Sequence, residues 1–210
     1  MKSLVILISG RGSNMEALLE AKLPGRIAAV ISNRPDAPGL EVAKRHGIAT
    51  IVLDQLSYPG RDAFDDALAQ EIDTHQPDLI ALAGFMRILG DGFVNRYDGK
   101  LVNVHPSLLP AFPGLHTHRR ALQEGVKIHG CTVHFVTAQM DRGPIIVQAA
   151  IQVLPDDTEQ TLAARVLQQE HRIYPDAVRW FMEGRLKISA DAVEVSSAAF
   201  GSPVLYSPGL

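Results

Sequence analysis

Five short apolar runs, at residues 4–8, 28–31, 51–53, 79–83 and 101–104, recur along the first half of the chain. Each is mostly apolar on both faces, the pattern of a strand covered on both sides in a parallel sheet rather than a half-solvated one. Residues 14–21, 39–46 and 61–75 lie between the first four runs and repeat their apolar positions at helical spacing. Such alternation buries its apolar surface by laying helices on both faces of one sheet. The fold class expected is therefore α/β, a single-domain, doubly wound, mostly parallel, Rossmann-like sheet. Two further strands are predicted at 131–136 and 145–153. A long C-terminal helix is predicted over 159–182, capped from Asp156-Asp157-Thr158, ended by Gly184 and kinked or broken at Pro175. From Ser189 the composition turns to Ser, Ala, Gly and Pro. The expected division is thus a catalytic domain over 1–188 and a poorly ordered C-terminal tail over 189–210.

Bulk properties exclude several function classes. The chain has 210 residues, a net charge of −3 and 20% charged residues, with no basic face of the kind nucleic acid requires. Arg119-Arg120 is too short to track a polyanion. Cys131 is the sole cysteine, so no intrachain disulfide can form, which suits a reducing compartment. The N-terminal apolar run is too short for a signal peptide, and no stretch has the length of a membrane span. The expectation is a cytoplasmic protein with small-molecule substrates, no nucleic-acid or membrane partner, and a monomeric or weakly homodimeric state.

Ser9-Gly10-Arg11-Gly12-Ser13-Asn14 follows the first predicted strand and opens the first predicted helix. Glycines let the backbone turn tightly and let an anion approach, while free N–H groups at a helix start favour a phosphate. Ser13 is placed to cap that helix. A dinucleotide loop would want a third glycine where Met15 stands, and a carboxylate where the second strand ends in Ser32-Asn33-Arg34. The P-loop lysine is missing too. NAD and ATP are disfavoured and a single phosphate, as on a ribose 5-phosphate, fits. A tight strand-to-helix turn without a ligand accounts for the loop equally well.

Asn103 and His105 end the fifth run, two residues apart and so on the same side of an extended segment. A carboxamide beside a protonated imidazole is a pair of donors for an oxyanion. A carboxylate such as Asp141 would favour the charged imidazole or ferry a proton. The same stretch is also what a strand end and a proline-bounded loop look like when the histidine is idle. His105, His116, His118, His129 and His134 fall within about thirty residues, but His116-x-His118 lacks a three-ligand set and no HExxH frame occurs. No metal is expected.

Taken together, Ile8 to Asn14, Ala83-Gly84-Phe85-Met86-Arg87-Ile88-Leu89, Asn103 to Pro110, Phe112-Pro113-Gly114-Leu115-His116 and Asp141-x-Gly143-Pro144 occur in one order. That order resembles the folate-dependent phosphoribosylglycinamide formyltransferases of purine synthesis, from about Lys2 to Lys187. The resemblance implies a formyltransferase-type fold and transfer of a formyl group from 10-formyltetrahydrofolate, a co-substrate, to the amine of phosphoribosylglycinamide, without a metal. It implies catalytic roles for Asn103, His105 and Asp141. Gly12, Ser13 and Asn14 match the family's phosphate loop, and Gly84, Pro106 and Glu170 match positions around the rest of the ribonucleotide. Without the resemblance, Glu170 reads as part of a solvated helix face. Arg61, Met86, Arg87, Ile88, Leu89 and Val136, with Asn103 and Asp141, match the folate side, where backbone groups of Arg87 to Leu89 read the pterin edge. His116 and His134 are secondary candidates that would back the site near Asp141.

In the family the catalytic loop commonly reads Asp-Gly-Gly-Pro, whereas this chain has Asp141-Arg142-Gly143-Pro144. Arg142 thus replaces a residue free to adopt φ > 0, and the expectation is that it stiffens the loop or reaches the folate tail. Three rivals remain: a formyltetrahydrofolate hydrolase, which shares the Asn-x-His core, a methionyl-tRNA formyltransferase, and a non-catalytic phosphosugar-binding module.

Overall fold

The computed structural model describes residues 1–189 and 192–196. They divide into two compact units, each built as its local sequence dictates. Unit 1 comprises Met1–Asn103 with Phe135–Gln139, and unit 2 comprises Val104–His134 with the described residues from Met140 onward.

In unit 1, β1 (Ser3–Ile8), β2 (Arg26–Ser32), β3 (Thr50–Val52), β4 (Leu79–Leu82) and the start of β5 (Leu101–His105) pair in the order β3-β2-β1-β4-β5. Every one of these pairings is parallel. The connecting helices are α1 (Ser13–Glu20), α2 (Gly39–Arg45), α3 (Arg61–Thr74) and α4 (Asp91–Arg96). All six residues of β1 are buried, which explains why its sequence is apolar on both faces. α3 turns Phe64, Leu68 and Ile72 inward at four-residue spacing, each 0% exposed. Burial of that kind is worth about 1.5–3 kcal/mol per side chain. From β1 the chain winds outward through β2 to β3, then returns to the other side of β1 with β4. The strand order therefore reverses between β1 and β4, where open α/β sheets place their ligands, at the carboxyl ends of the strands.

In unit 2, α5 (Thr117–Gln123) precedes β6 (Ile128–Phe135), which pairs antiparallel with β7 (Ile145–Gln152). α6 (Glu159–Met182) follows, then β8 (Leu186–Ser189) and β9 (Ala192–Val195). β9 pairs parallel with β7 and antiparallel with β8. Thr158 caps α6 through a reciprocal pairing with Thr161. α6 buries Leu162, Val166, Glu170, Tyr174, Val178 and Met182, an unbroken i, i+4 stripe.

A break at Pro175 does not occur, since α6 runs through it, and two further expectations are corrected. The apolar stripe on both sides of the proline outweighs the roughly 3 kcal/mol that an interior proline costs. Ser13 is the first helical residue and not the cap, because Gly12 takes the cap position at φ 74. A strand, β9, forms at Ala192–Val195, where composition suggested no regular structure. The remaining tail residues, 190–191 and 197–210, lie outside the described residues.

Candidate active site

The loop after β1 opens a cavity of about 420 Å³ at the switch point of unit 1, lined by Ser9 to Asn14, Asn33, Arg34, Gln55, Ala83, Gly84 and Met86. Gly12 turns the chain in the left-handed region, and its carbonyl accepts the N–H of Glu16 at 2.8 Å. The N–H groups of the first turn of α1 thereby face away from any intrahelical acceptor, and with the helix dipole they suit an anion. A Cβ on Gly12 would come 3.1 Å from Met15 Cε and 3.3 Å from Gly39 Cα. Met15, the residue that argued against a dinucleotide, is 0% exposed and fills the space beneath the loop. Gly39, at the start of α2, donates its N–H to Gly10 O at 3.0 Å and buttresses the loop from behind. Arg34 is exposed and paired with Asp36 at 2.8 Å.

The folate-side candidates Arg61, Met86, Arg87, Ile88, Leu89 and Val136 also belong to unit 1. Leu89 and Val136 pack against its core. Met86 and Ile88 do not: they are 77% and 66% exposed, large apolar groups left open. That contrast suits a flat apolar ligand resting on Met86 and Ile88. Arg61 is exposed, its Nε 3.7 Å from Asp62.

The last strand of the parallel set, β5, carries Asn103 and His105 two positions apart, so pleating directs them to one side of the strand. Asn103 is half-buried beside Leu82 of β4. Within unit 2, His105 is buried and its Nε2 lies 3.0 Å from the carbonyl oxygen of Phe112. A carbonyl can only accept, so Nε2 carries a hydrogen and Nδ1 is the nitrogen left to gain or lose a proton. Nδ1 lies 3.6 Å from Asp141 Oδ2, and Asp141 Oδ1 lies 3.9 Å from His134 Nε2. Asp141 also accepts the N–H of Gly114 at 2.7 Å, which fixes the carboxylate between the two imidazoles.

Of the two secondary histidines, His134 joins this cluster. His116 does not: it is exposed, sits at φ 58 as the N-cap of α5, and its ring has no hydrogen bond among the described residues. The position of positive φ in the loop 141–144 is Asp141 itself, at φ 54, not Arg142. Arg142 therefore costs the loop no backbone strain, and it lines a second cavity of about 370 Å³ with Asp141, Gly143 and Val193 of β9. Pro106 is half-buried next to His105. Glu170 is 7% exposed, not on a solvated face. Burial, followed by the nearby Glu170 charge, pushes the Cys131 thiol up to about 12, so this cysteine is a packed, unreactive side chain. His129 Nε2 lies 3.2 Å from His118 Nδ1. Burial, then the neighbouring His118 and His105, pushes the His129 imidazole down to about 4 and keeps it neutral.

Sequence reasoning missed Ser9, Asn33 and Gln55, which line the unit 1 cavity and form hydrogen bonds there, and Asp65, which accepts the N–H of Gly90. Ser9 and Asn33 directly follow buried strands, which was their only signal, while Gln55, and Asp65 of α3, carried none.

Comparison with known proteins agrees with these observations. The model of the formyl transferase family matches residues 1–178. The phosphoribosylglycinamide formyltransferase of Escherichia coli (strain K12) is 50% identical over 194 residues, which cover 90% of this chain and 92% of that protein. Among solved structures, glycinamide ribonucleotide transformylase 1 from Symbiobacterium toebii superposes with a TM-score of 0.90 at 50% identity, covering 93% of this chain and 94% of that one. The phosphoribosylglycinamide formyltransferase of Coxiella burnetii superposes at 0.89 with 46% identity, covering 92% and 93%.

Proposed function

Because the chain belongs to the formyl transferase family, we propose that it transfers the formyl group of 10-formyltetrahydrofolate to the amine of phosphoribosylglycinamide, a step of purine synthesis. The single observation that carries the mechanism is the orientation of His105. Its Nε2 is tied to Phe112 O, which leaves Nδ1 facing the Asp141 carboxylate.

In the proposed reaction the substrate amine attacks the formyl carbon. The new C–N bond forms while the carbonyl π electrons move onto oxygen. Asn103 and the Nδ1–H of cationic His105, the ring N–H not tied to Phe112, donate hydrogen bonds to that oxyanion. As the tetrahedral species collapses, the bond from carbon to folate N10 breaks. The proton lost by the amine reaches N10 with the help of Asp141, whose charge stabilises the imidazolium. The loop Gly12–Asn14 takes the substrate phosphate, with Gly84, Pro106 and Glu170 around the rest of the ribonucleotide. Arg61, Met86, Arg87, Ile88, Leu89 and Val136 take the folate. Residues 1–188 form the catalytic domain in this reading, which needs no metal. No helix among the described residues is long and apolar enough to cross a membrane. We place the activity in the cytoplasm, in a monomer or weak homodimer.

The test follows folate release by absorbance, with and without the ribonucleotide. Removal of one oxyanion donor commonly costs about 10²–10³ in turnover. His105→Ala and Asn103→Ala should lower kcat by that factor with KM values within about twofold. Turnover without the ribonucleotide would establish a hydrolase instead, and an effect confined to KM would remove both residues from the chemistry.

A further inference from the structure

Residues 86–90 are held from both ends by buried side chains that come from elsewhere in unit 1. Ser9, directly after β1 and 5% exposed, accepts the N–H of Met86 on its hydroxyl oxygen at 2.7 Å. The hydroxyl hydrogen goes to Asn33 Oδ1 at 2.6 Å. Asn33, directly after β2 and 2% exposed, donates from Nδ2 to Gln55 Oε1 at 2.8 Å. That same Gln55 oxygen accepts Arg87 Nη1 at 3.3 Å. At the other end Asp65 of α3, 5% exposed, accepts the N–H of Gly90 at 2.7 Å. Its second oxygen lies 4.0 Å from Arg87 Nε, and the Arg87 guanidinium lies 4.3 Å from the centre of the Phe64 ring. Between these two clamps, the backbone groups of Arg87, Ile88 and Leu89 make no hydrogen bond among the described residues.

Two consequences follow. A backbone edge recognises a heterocycle well only when its N–H and C=O groups are already aligned, since ordering each loop residue costs about 1–2 kcal/mol. The clamps supply that order before the ligand arrives. Ser9 and Asn33 also line the anion cavity, but Ser9 has one hydrogen to donate and gives it to Asn33. A lone pair is what remains on Ser9, and an anion gains nothing from it. We propose that Ser9, Asn33 and Asp65 are positioning residues for the folate-reading segment 86–90, and that Ser9 is not a ligand of the ribonucleotide whose cavity it lines. This assignment rests on the function proposed above.

The test varies each substrate in turn for Ser9→Ala, Asn33→Ala and Asp65→Asn, with thermal unfolding of each variant alongside. Loss of one clamp should raise KM for 10-formyltetrahydrofolate about tenfold, as loss of a buried hydrogen bond of about 1.4 kcal/mol would. KM for the ribonucleotide should stay within about twofold and kcat within about threefold. A KM increase that falls on the ribonucleotide would make Ser9 and Asn33 anion ligands and overturn the assignment. An equal rise in both KM values, or a fall in kcat alone, would reduce the network to general support and overturn it too. If Asp65→Asn fails to fold, the two smaller truncations decide the matter alone. A wild-type chain with no transfer activity would instead sink the proposed function, so the two failures are distinguishable.

Discussion

Thr132, on β6 and 0% exposed, is the polar pin beneath the loop that follows His105. Its hydroxyl donates to Ser107 O at 2.7 Å and accepts from Leu109 N at 3.0 Å and Gln148 Nε2 at 2.9 Å. One donor and two acceptor sites are the whole capacity of a hydroxyl, so all of it is used. Thr132→Val keeps the shape and removes every one of these bonds. The Leu109 N–H would be stranded in the interior at about 1–3 kcal/mol, and the Ser107 carbonyl would lose about 1 kcal/mol more. Gln148 keeps its bond to Leu109 O at 2.9 Å and so contributes less. The added methyl returns about 0.8 kcal/mol of burial. The net expectation is a loss of about 2–3 kcal/mol, which lowers Tm by roughly 4–12 °C in a chain of this size. Urea unfolding followed through the fluorescence of Trp180, the single tryptophan, reports on α6 of the same unit. Thr132→Ser, which keeps the hydroxyl, should lose less than about 1 kcal/mol. If Thr132→Val matched Thr132→Ser, the hydroxyl would not be the pin, and the reasoning from satisfied capacity would fail.

Two further outcomes are expected. His129 titrates at about 4 when folded, against 6.5 ordinarily. Below pH 6.5 the unfolded chain therefore takes up a proton that the folded chain refuses until about pH 4, and stability falls as pH falls through that window. The wild type should lose about 3 kcal/mol more than His129→Phe between pH 7 and pH 4, and parallel pH profiles would refute this. At Gly39 an added Cβ would sit 2.8 Å from Ile8 Cδ1 and 3.0 Å from Gly10 O, so Gly39→Ala should push the anion loop outward. Helix propensity favours the alanine by up to about 1 kcal/mol, so overall stability should change little. KM for the ribonucleotide should rise by about three- to tenfold, and an unchanged value would mean that the loop does not hold the phosphate.

Much of this architecture was legible along the chain because it rests on local patterns. The apolar runs of β1 to β5 and the helical spacing of α1, α2 and α3 state their own periods, and Thr158 announces the start of α6. β9 was not legible, since Ala192–Val195 is short and makes a strand only by pairing with β7 and β8. Whether α6 would continue through Pro175 was open for a related reason: the cost of a proline is local, whereas the stripe that overrides it depends on what α6 packs against. In the candidate site, Asn103, His105, Asp141 and the glycine loop could be singled out because their chemistry and spacing are unusual. That His134 joins Asp141 while His116 points elsewhere could not be read in the same way. Nor could the use of Ser9, Asn33 and Asp65 as clamps, since their partners lie 22 to 77 positions away. The sequence by itself determined the strands β1 to β7 and the longer helices, the alternation along the first half of the chain, and which side chains could carry a proton or meet a phosphate. Only the tertiary structure decided which nitrogen of His105 is tied down, where the strain of positive φ falls, and which polar groups hold residues 86–90. Periodicity is written between neighbours in the chain, whereas a hydrogen bond between distant residues exists only after the chain has folded.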